Sequence, residues 1–233
     1  MNHPQTKFPR AFYSASIADF IQTDLSTVLG CLTNRSGFSI ETTQRDAWRS
    51  QISILQKALR PFDAKGSVFF EFSVPRLGKR IDVLVLINHV IFVIEFKVGE
   101  NLFNRSAIDQ VWDYALDLKN FHETSHHCMI APILVATNAN NLLGIVSASH
   151  HNDGVLEPIN TSPGFLSETI NMVLQLGTGA NIITAAWEVG RYRPTPTIIE
   201  AASALYGSHS VSELSRSDAG EKTWHELRWP LEI

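Results

Sequence analysis

Between Ser67 and Lys97 the chain carries three apolar runs, SVFFEFSV, RIDVLVLI and VIFVIEFK, separated only by PRLGK and NH. Each run has strand length and is rich in Val, Ile and Phe, and separations this short admit tight turns and nothing larger. The three strands are therefore expected to form an antiparallel meander. A helix is expected next, over 106–121, with Ile108, Val111, Trp112, Ala115 and Leu118 on its apolar face. MIAPILVATN (129–138) follows as another buried strand, which a helical crossover can return parallel to its neighbour. Upstream, Trp48, Ile52, Leu55 and Leu59 recur at helical spacing, predicting a helix over 43–59 that ends at Pro61. SIADFIQTDLSTVLGCL (16–32) reads as an amphipathic helix closed by the polar turn TNRSG. Helix, three strands, helix, strand defines an α/β chain with a mixed β-sheet flanked by helices.

The third run ends in two charges. Val90 to Ile94 is continuously apolar, as in a strand covered on both faces. Glu95 and Lys97 then follow two residues apart, so they project from one face while Ile94 and Phe96 face the other way. Burying a charge costs roughly several kcal/mol unless it is paired or liganded. Asp82 stands thirteen positions before Glu95, near the start of the preceding run. The two-residue connection at Asn88–His89 makes these runs hairpin partners and brings Asp82 near Glu95 and Lys97. Two carboxylates and an ammonium then converge at one edge of an apolar sheet.

Such a set suits phosphodiester hydrolysis. Asp82, Glu95 and the backbone carbonyl of Phe96 offer hard oxygen ligands, which fit Mg²⁺ or Mn²⁺ better than zinc. Lys97 would orient water or stabilise developing charge. The alternative is a buried Asp–Lys–Glu network that serves structure alone. On the following helix, Gln110 and Tyr114 share a face at i, i+4. Gln110 could hold water or backbone near the ligands, and Tyr114 could offer its hydroxyl to a phosphate. Arg76, Lys79 and Arg80, with Arg105, are candidate phosphate contacts; a solvated basic turn explains them equally well. Glu71 and Glu41 are possible further acidic ligands, with a structural role the favoured reading for each.

The sequence KRIDVLVL…VIEFK…DQVWDY resembles the D…E-x-K…Q-x-x-x-Y pattern of the PD-(D/E)xK nuclease superfamily, particularly its RecB-type branch. AFYSASI, FFEFSVPRLGKRIDVLVL, VIEFKVG, DQVWDYALDLKNFHETSH and GRYRPTPTIIEAA resemble more closely a bacterial family of uncharacterised DNA/RNA helicases. There a nuclease-like domain precedes a P-loop helicase domain related to Schlafen proteins. The similarity spans about residues 10–220. It implies a restriction-endonuclease-like fold, metal ligands at Asp82 and Glu95, a catalytic Lys97, and auxiliary roles for Gln110 and Tyr114. Ile81 stands where the motif's name has proline, a variable position in the superfamily. No Walker A loop appears before the final EKTWHELRWPLEI, so a stand-alone nuclease domain or a truncated copy is expected. The domain division expected is a nuclease-like unit over 1–190 and a linker-like helical tail over 191–233.

Composition narrows the setting. A net charge of −4 argues against a chain that coats nucleic acid without discrimination, though not against a local basic patch. No apolar run reaches the ~18 residues of a membrane span, and MNHPQTKFPRAFYSAS has no apolar signal region. Cys31 and Cys128 have no metal-binding spacing, so reduced thiols and a cytoplasmic location are expected. RLGKRID lacks the glycine and hydroxyl residues of a phosphate loop, and GTGANI (177–182) lacks the last glycine of a dinucleotide fingerprint. HETSHH and SHHND carry histidines with no matching cysteines or helical spacing. In the second half, a strand near 155–159, helices near 165–176 and 197–206, and a linker at 190–196 are expected. Three functions follow from these readings: a Mg²⁺-dependent nuclease acting on nucleic acid, foremost DNA; an idle nucleic-acid-binding module that positions a P-loop helicase; and a protein-interaction domain.

Overall fold

The computed structural model describes residues 10–36, 41–64, 66–75, 78–151 and 153–192. Its centre is a six-stranded mixed sheet in the order β1-β2-β3-β4-β5-β6. The strands are β1 (Tyr13–Ser16), β2 (Gly66–Val74), β3 (Lys79–Ile87), β4 (Val90–Lys97), β5 (Met129–Ala136) and β6 (Ile159–Thr161). Strands β1 to β4 pair antiparallel, and β5 and β6 add on in parallel. The meander and the parallel crossover strand thus form as their turn lengths require. The β3–β4 connection is two residues, and Asn88 takes the positive φ of 53° that its first position demands.

Helices cover both faces. On one lie α1 (Ile17–Gln22), α2 (Leu25–Ser36), α3 (Thr42–Ala58) and α5 (Leu166–Leu174), packed on Phe70, Val83, Val85, Phe92, Ile94 and Ile133. On the other, α4 (Arg105–Phe121) packs Val111, Ala115 and Leu118 against Leu84, Ile91, Val93 and Leu134, beside Trp187 of α6 (Thr184–Glu188). Double coverage is why β3 to β5 read as near-continuous apolar runs. Pro132 sits inside β5, a position that removes a ladder donor. Ile130, on the same edge by alternation, donates to Gly154, and the β5–β6 ladder begins only at Ile133. The proline therefore falls in a gap of that ladder.

Several boundaries differ from the sequence reading. The helix expected over 16–32 is β1 followed by two helices. Ser16 caps α1 through the Asp19 N–H (3.0 Å), Thr23 turns extended, and Asp24 accepts from the Ser26 N–H at 2.9 Å to open α2. Local side-chain bonds of this kind compete with a continuous helix. The expected turn at 33–37 is helical through Ser36. The strand expected at 155–159 lies at Ile159–Thr161, and Val155 and Leu156 make only single bridges. The expected helix 197–206, Arg76 and the tail from 193 onward lie outside the described residues. No helix among the described residues is long and apolar enough to cross a membrane.

Candidate active site at a fork in the sheet

The β3–β4 ladder ends at Val83↔Ile94, although β2–β3 continues to Val74↔Lys79 and β4–β5 to Lys97↔Ala136. Past that point β3 stays with β2, and β4 stays with β5. Asp82 and Glu95 are the next residues on the two arms of this fork. The Asp82 side chain fills the missing rung, its Oδ2 accepting from the Phe96 N–H at 2.9 Å. A residue's N–H and C=O share one edge of a strand, so the Phe96 carbonyl also looks into the fork.

Glu95 and Lys97 emerge toward α4, as their spacing requires. Lys97 Nζ donates to Glu95 Oε1 and to Gln110 Oε1, both at 3.0 Å. Gln110 Nε2 donates in turn to Glu95 Oε1 at 2.8 Å and to the Tyr114 hydroxyl at 3.1 Å. Asn104 caps α4 by accepting from the Ala107 N–H (2.9 Å), which sets the register that points Gln110 and Tyr114 at β4. The structure therefore joins four of the expected residues in one network and places Asp82 beside it. Tyr114 is 2% exposed and its hydroxyl accepts from Gln110, so it braces the amide.

The electrostatics are those of crowded, desolvated acids. Asp82 keeps some accessible surface, but protein encloses its carboxyl. Burial, then the Glu95 and Glu71 charges, hold its pKa well above the carboxylate range, against the Phe96 amide. Burial also raises Glu95, with Lys97 opposing, and pushes Tyr114 up to about 12. Glu95 Oε1 receives two donors while its buried Oε2 receives none.

Two residues that sequence reasoning set aside or missed complete the site. Glu71 lies level with Asp82, between the pairs Phe70↔Val83 and Phe72↔Ile81. Its φ of 53° is left-handed, which costs a non-glycine residue of order 1–3 kcal/mol. Here both strands change faces: Phe70 and Val83 pack toward α3, whereas Phe72 and Ile81 pack toward α4. The switch delivers the Glu71 carboxylate to the indole of Trp48, which donates at 2.8 Å; burial raises its pKa. Gln51, one turn along α3, donates to Asp82 Oδ2 at 3.3 Å, and its Oε1 is buried without a donor. Only its helical phase, one position before the core residue Ile52, hinted that it faces the sheet. Of the basic candidates, Lys79 and Arg80 are exposed at the start of β3, with Arg80 stacked 4.4 Å from the Phe12 ring centroid. Arg105 is paired with Asp109 at 2.9 Å.

The donor set fits a hard cation. Asp82, Glu95, the Phe96 carbonyl and Gln51 offer oxygen only, and Glu95 Oε2 and Gln51 Oε1 are buried acceptors that lack donors. Against this, no group of three or more His, Cys, Asp and Glu is placed to hold a metal among the described residues.

The fold and site thus define a mixed α/β chain with an acidic, lysine-bearing fork at one end of its sheet. Comparison with protein-family models, curated proteins and solved structures returned no match.

Proposed function

We propose that the chain is a metal-dependent nuclease of restriction-endonuclease-like fold that hydrolyses phosphodiester bonds, with DNA as the expected substrate. The observation that carries this reading is the pairing of Asp82 with a Glu95 whose buried Oε2 has no donor, beside a lysine held by Glu95 and Gln110. The element order α3-β2-β3-β4-α4-β5 agrees with this reading, because it brings the D…E-x-K…Q-x-x-x-Y residues to one end of the sheet. Asp82, Glu95 and the Phe96 carbonyl would hold Mg²⁺ or Mn²⁺, assisted by Gln51. When bound, the ion supplies Lewis-acid polarisation of the phosphate and a water of lowered pKa.

The chain's own residues do the positioning. Lys97 has three N–H donors, of which Glu95 and Gln110 take two. The third is left for a water or a phosphate oxygen. Its side chain is 25% exposed against 5% for Glu95, so the ammonium stands at the mouth and the carboxylate at the floor. Gln110 fixes the lysine and the carboxylate together, and Tyr114 fixes Gln110. Lys79 and Arg80 stand near the acidic arm of the fork as candidate phosphate contacts.

The test is incubation of the purified protein with Mg²⁺ or Mn²⁺ and single- or double-stranded DNA or RNA. Cleavage that disappears in Asp82→Ala and Lys97→Ala supports the reading; no cleavage of any substrate, or equal cleavage by both variants, overturns it. The small acidic cluster favours a second reading, an idle nucleic-acid-binding module that partners a P-loop helicase. That module would bind DNA in a salt-sensitive way without metal and after loss of Asp82 and Lys97.

A further inference from the structure

We propose that nucleic acid reaches the fork across the helical layer of α2 and α3, its phosphates held by Arg35, Arg45, Arg49, Lys79 and Arg80. The proposal deepens the nuclease reading and rests on it for the chemical class of the ligand. All five side chains are exposed, and a chain of contacts gathers them at one corner of the molecule. Arg80 stacks 4.4 Å from the Phe12 ring centroid. Phe12 N–H donates to the Phe70 carbonyl at 2.9 Å, next to Glu71, and Arg35 Nη1 donates to the Ala11 carbonyl at 2.8 Å. Trp48 donates to Glu71 at 2.8 Å, so the first half of α3 lies over the same corner.

Helical phase sets the direction of the α3 charges. Arg45 and Arg49 fall on one flank of the helix, about 60° and about 100° from the buried Trp48, whereas Asp46 falls about 160° away on its outer side. Arg45, Arg49 and Lys79 take part in neither of the two ion pairs among the described residues. Arg35 commits one guanidinium donor to Ala11 and keeps the others for a phosphate. Among the described residues, Glu41 and Asp46 are the exposed acids at this end of the layer. The corner is therefore net positive in a chain of net charge −4.

The opposite rim of the fork, formed by α4 and the loop before it, has the reverse sign. Glu100, Asp109 and Asp113 are exposed there, and Arg105, the exposed base of this rim, is held by Asp109 at 2.9 Å. A polyanion is drawn to one side of the fork and repelled from the other, which fixes its direction of approach. Phosphates then run from α3 across the start of β3 to the fork, where the unused Lys97 donor stands at the mouth. These contacts go to the backbone alone, so they position a strand without reading its sequence.

The experiment is fluorescence anisotropy of a labelled DNA single strand of about 20 nucleotides, titrated with the full chain in EDTA so that binding is read without cleavage. The parent should bind saturably, with Kd of about 100 µM or tighter at about 0.1 M salt. Arg45→Gln/Arg49→Gln should weaken binding about tenfold and flatten the slope of log K against log salt by about 0.7 for each arginine removed. Lys79→Gln/Arg80→Gln should do the same, and carries the test if the α3 pair fails to fold. Lys57 lies about 12 Å further along α3 than Arg49, beyond a Debye length of about 10 Å. Lys57→Gln should therefore change affinity by about twofold or less. Absence of saturable binding by the parent overturns the proposal, as does undiminished affinity in either folded pair variant or an equal loss in Lys57→Gln. Cleavage enters none of these readouts, so a chain that binds through these side chains but cuts nothing with Mn²⁺ overturns the nuclease reading alone.

Discussion

The two ends of the β3–β4 hairpin are built from the same pair of strands and solve opposite problems. At the turn, Ile87↔Val90 closes the ladder and Asn88 and His89 complete it. At the far end the ladder opens after Val83↔Ile94, and Asp82 replaces a backbone rung with its carboxylate. The open end gathers Glu71, Asp82 and Glu95 at one level, while the closed end gathers Lys119 and three histidines around a cavity. Between them the strands are wholly apolar and covered on both faces. Charge is therefore admitted only where the ladder ends, because only there can strand side chains reach helix side chains or water instead of packed hydrocarbon.

The largest expected effect would come from removing the ammonium held between Glu95 and Gln110. Lys97→Ala should lower cleavage by about 10²–10⁴-fold, measured as single-turnover rate with Mn²⁺. Gln110→Ala removes the brace between Lys97 and Glu95 and should cost about 10–100-fold in cleavage or in Mn²⁺ affinity. A Gln110→Glu variant would sharpen this, since it keeps the shape but offers Glu95 a second negative charge.

Titration should separate the ends next. The pKa values of Asp82, Glu95 and Glu71 are all raised by burial, so between about pH 4 and those raised values the native state binds more protons than the unfolded chain. Their contribution to stability is complete below about pH 4 and is lost as pH rises through the native values. Thermal melts in EDTA should therefore show Asp82→Asn/Glu95→Gln gaining on the parent as pH rises from about 5 to about 7.5, and Mn²⁺ should close that gap for the parent. Comparing parent with variant cancels His122, whose pKa burial lowers to about 3 and whose effect has the opposite sign. Glu71→Gln is expected to have the smallest effect. It keeps an acceptor for Trp48 and removes one of three neighbouring negative charges, so the unfolding midpoint should rise by a few degrees, on the order of 1 kcal/mol. A fall would mean that the Glu71 charge is paired more strongly than the Trp48 contact alone provides.

Much of the open end was legible in residue order. A two-residue turn between 87 and 90 forces Asp82 opposite Glu95, and period two puts Glu95 and Lys97 on one face. Helical period then puts Gln110 and Tyr114 together, and the structure seats them on that face. Glu71 was not legible as a site residue. By alternation it belongs with Phe69 on the α4 side, and only the left-handed φ moves it toward Trp48, in a strand where no glycine announces the turn. Gln51 was hidden because a helix of known phase still needs a docking partner before its inner polar residue has a role. The closed end was less visible still. Its histidines belong to separate segments near 89 and 126–127, and Lys119 and Gly179 come from others.

Residue order by itself determined the sheet's central meander and the facing of Asp82 with Glu95, and allowed the parallel return of β5, because these follow from run length, turn length and side-chain period. The tertiary structure alone decided where the ladder forks, which face Glu71 takes, and that Lys119 and His89 share a cavity. Those outcomes depend on how α3, α4 and the 178–187 segment dock on the sheet. Docking is settled by burying apolar area from distant parts of the chain at once, and no local spacing encodes that sum.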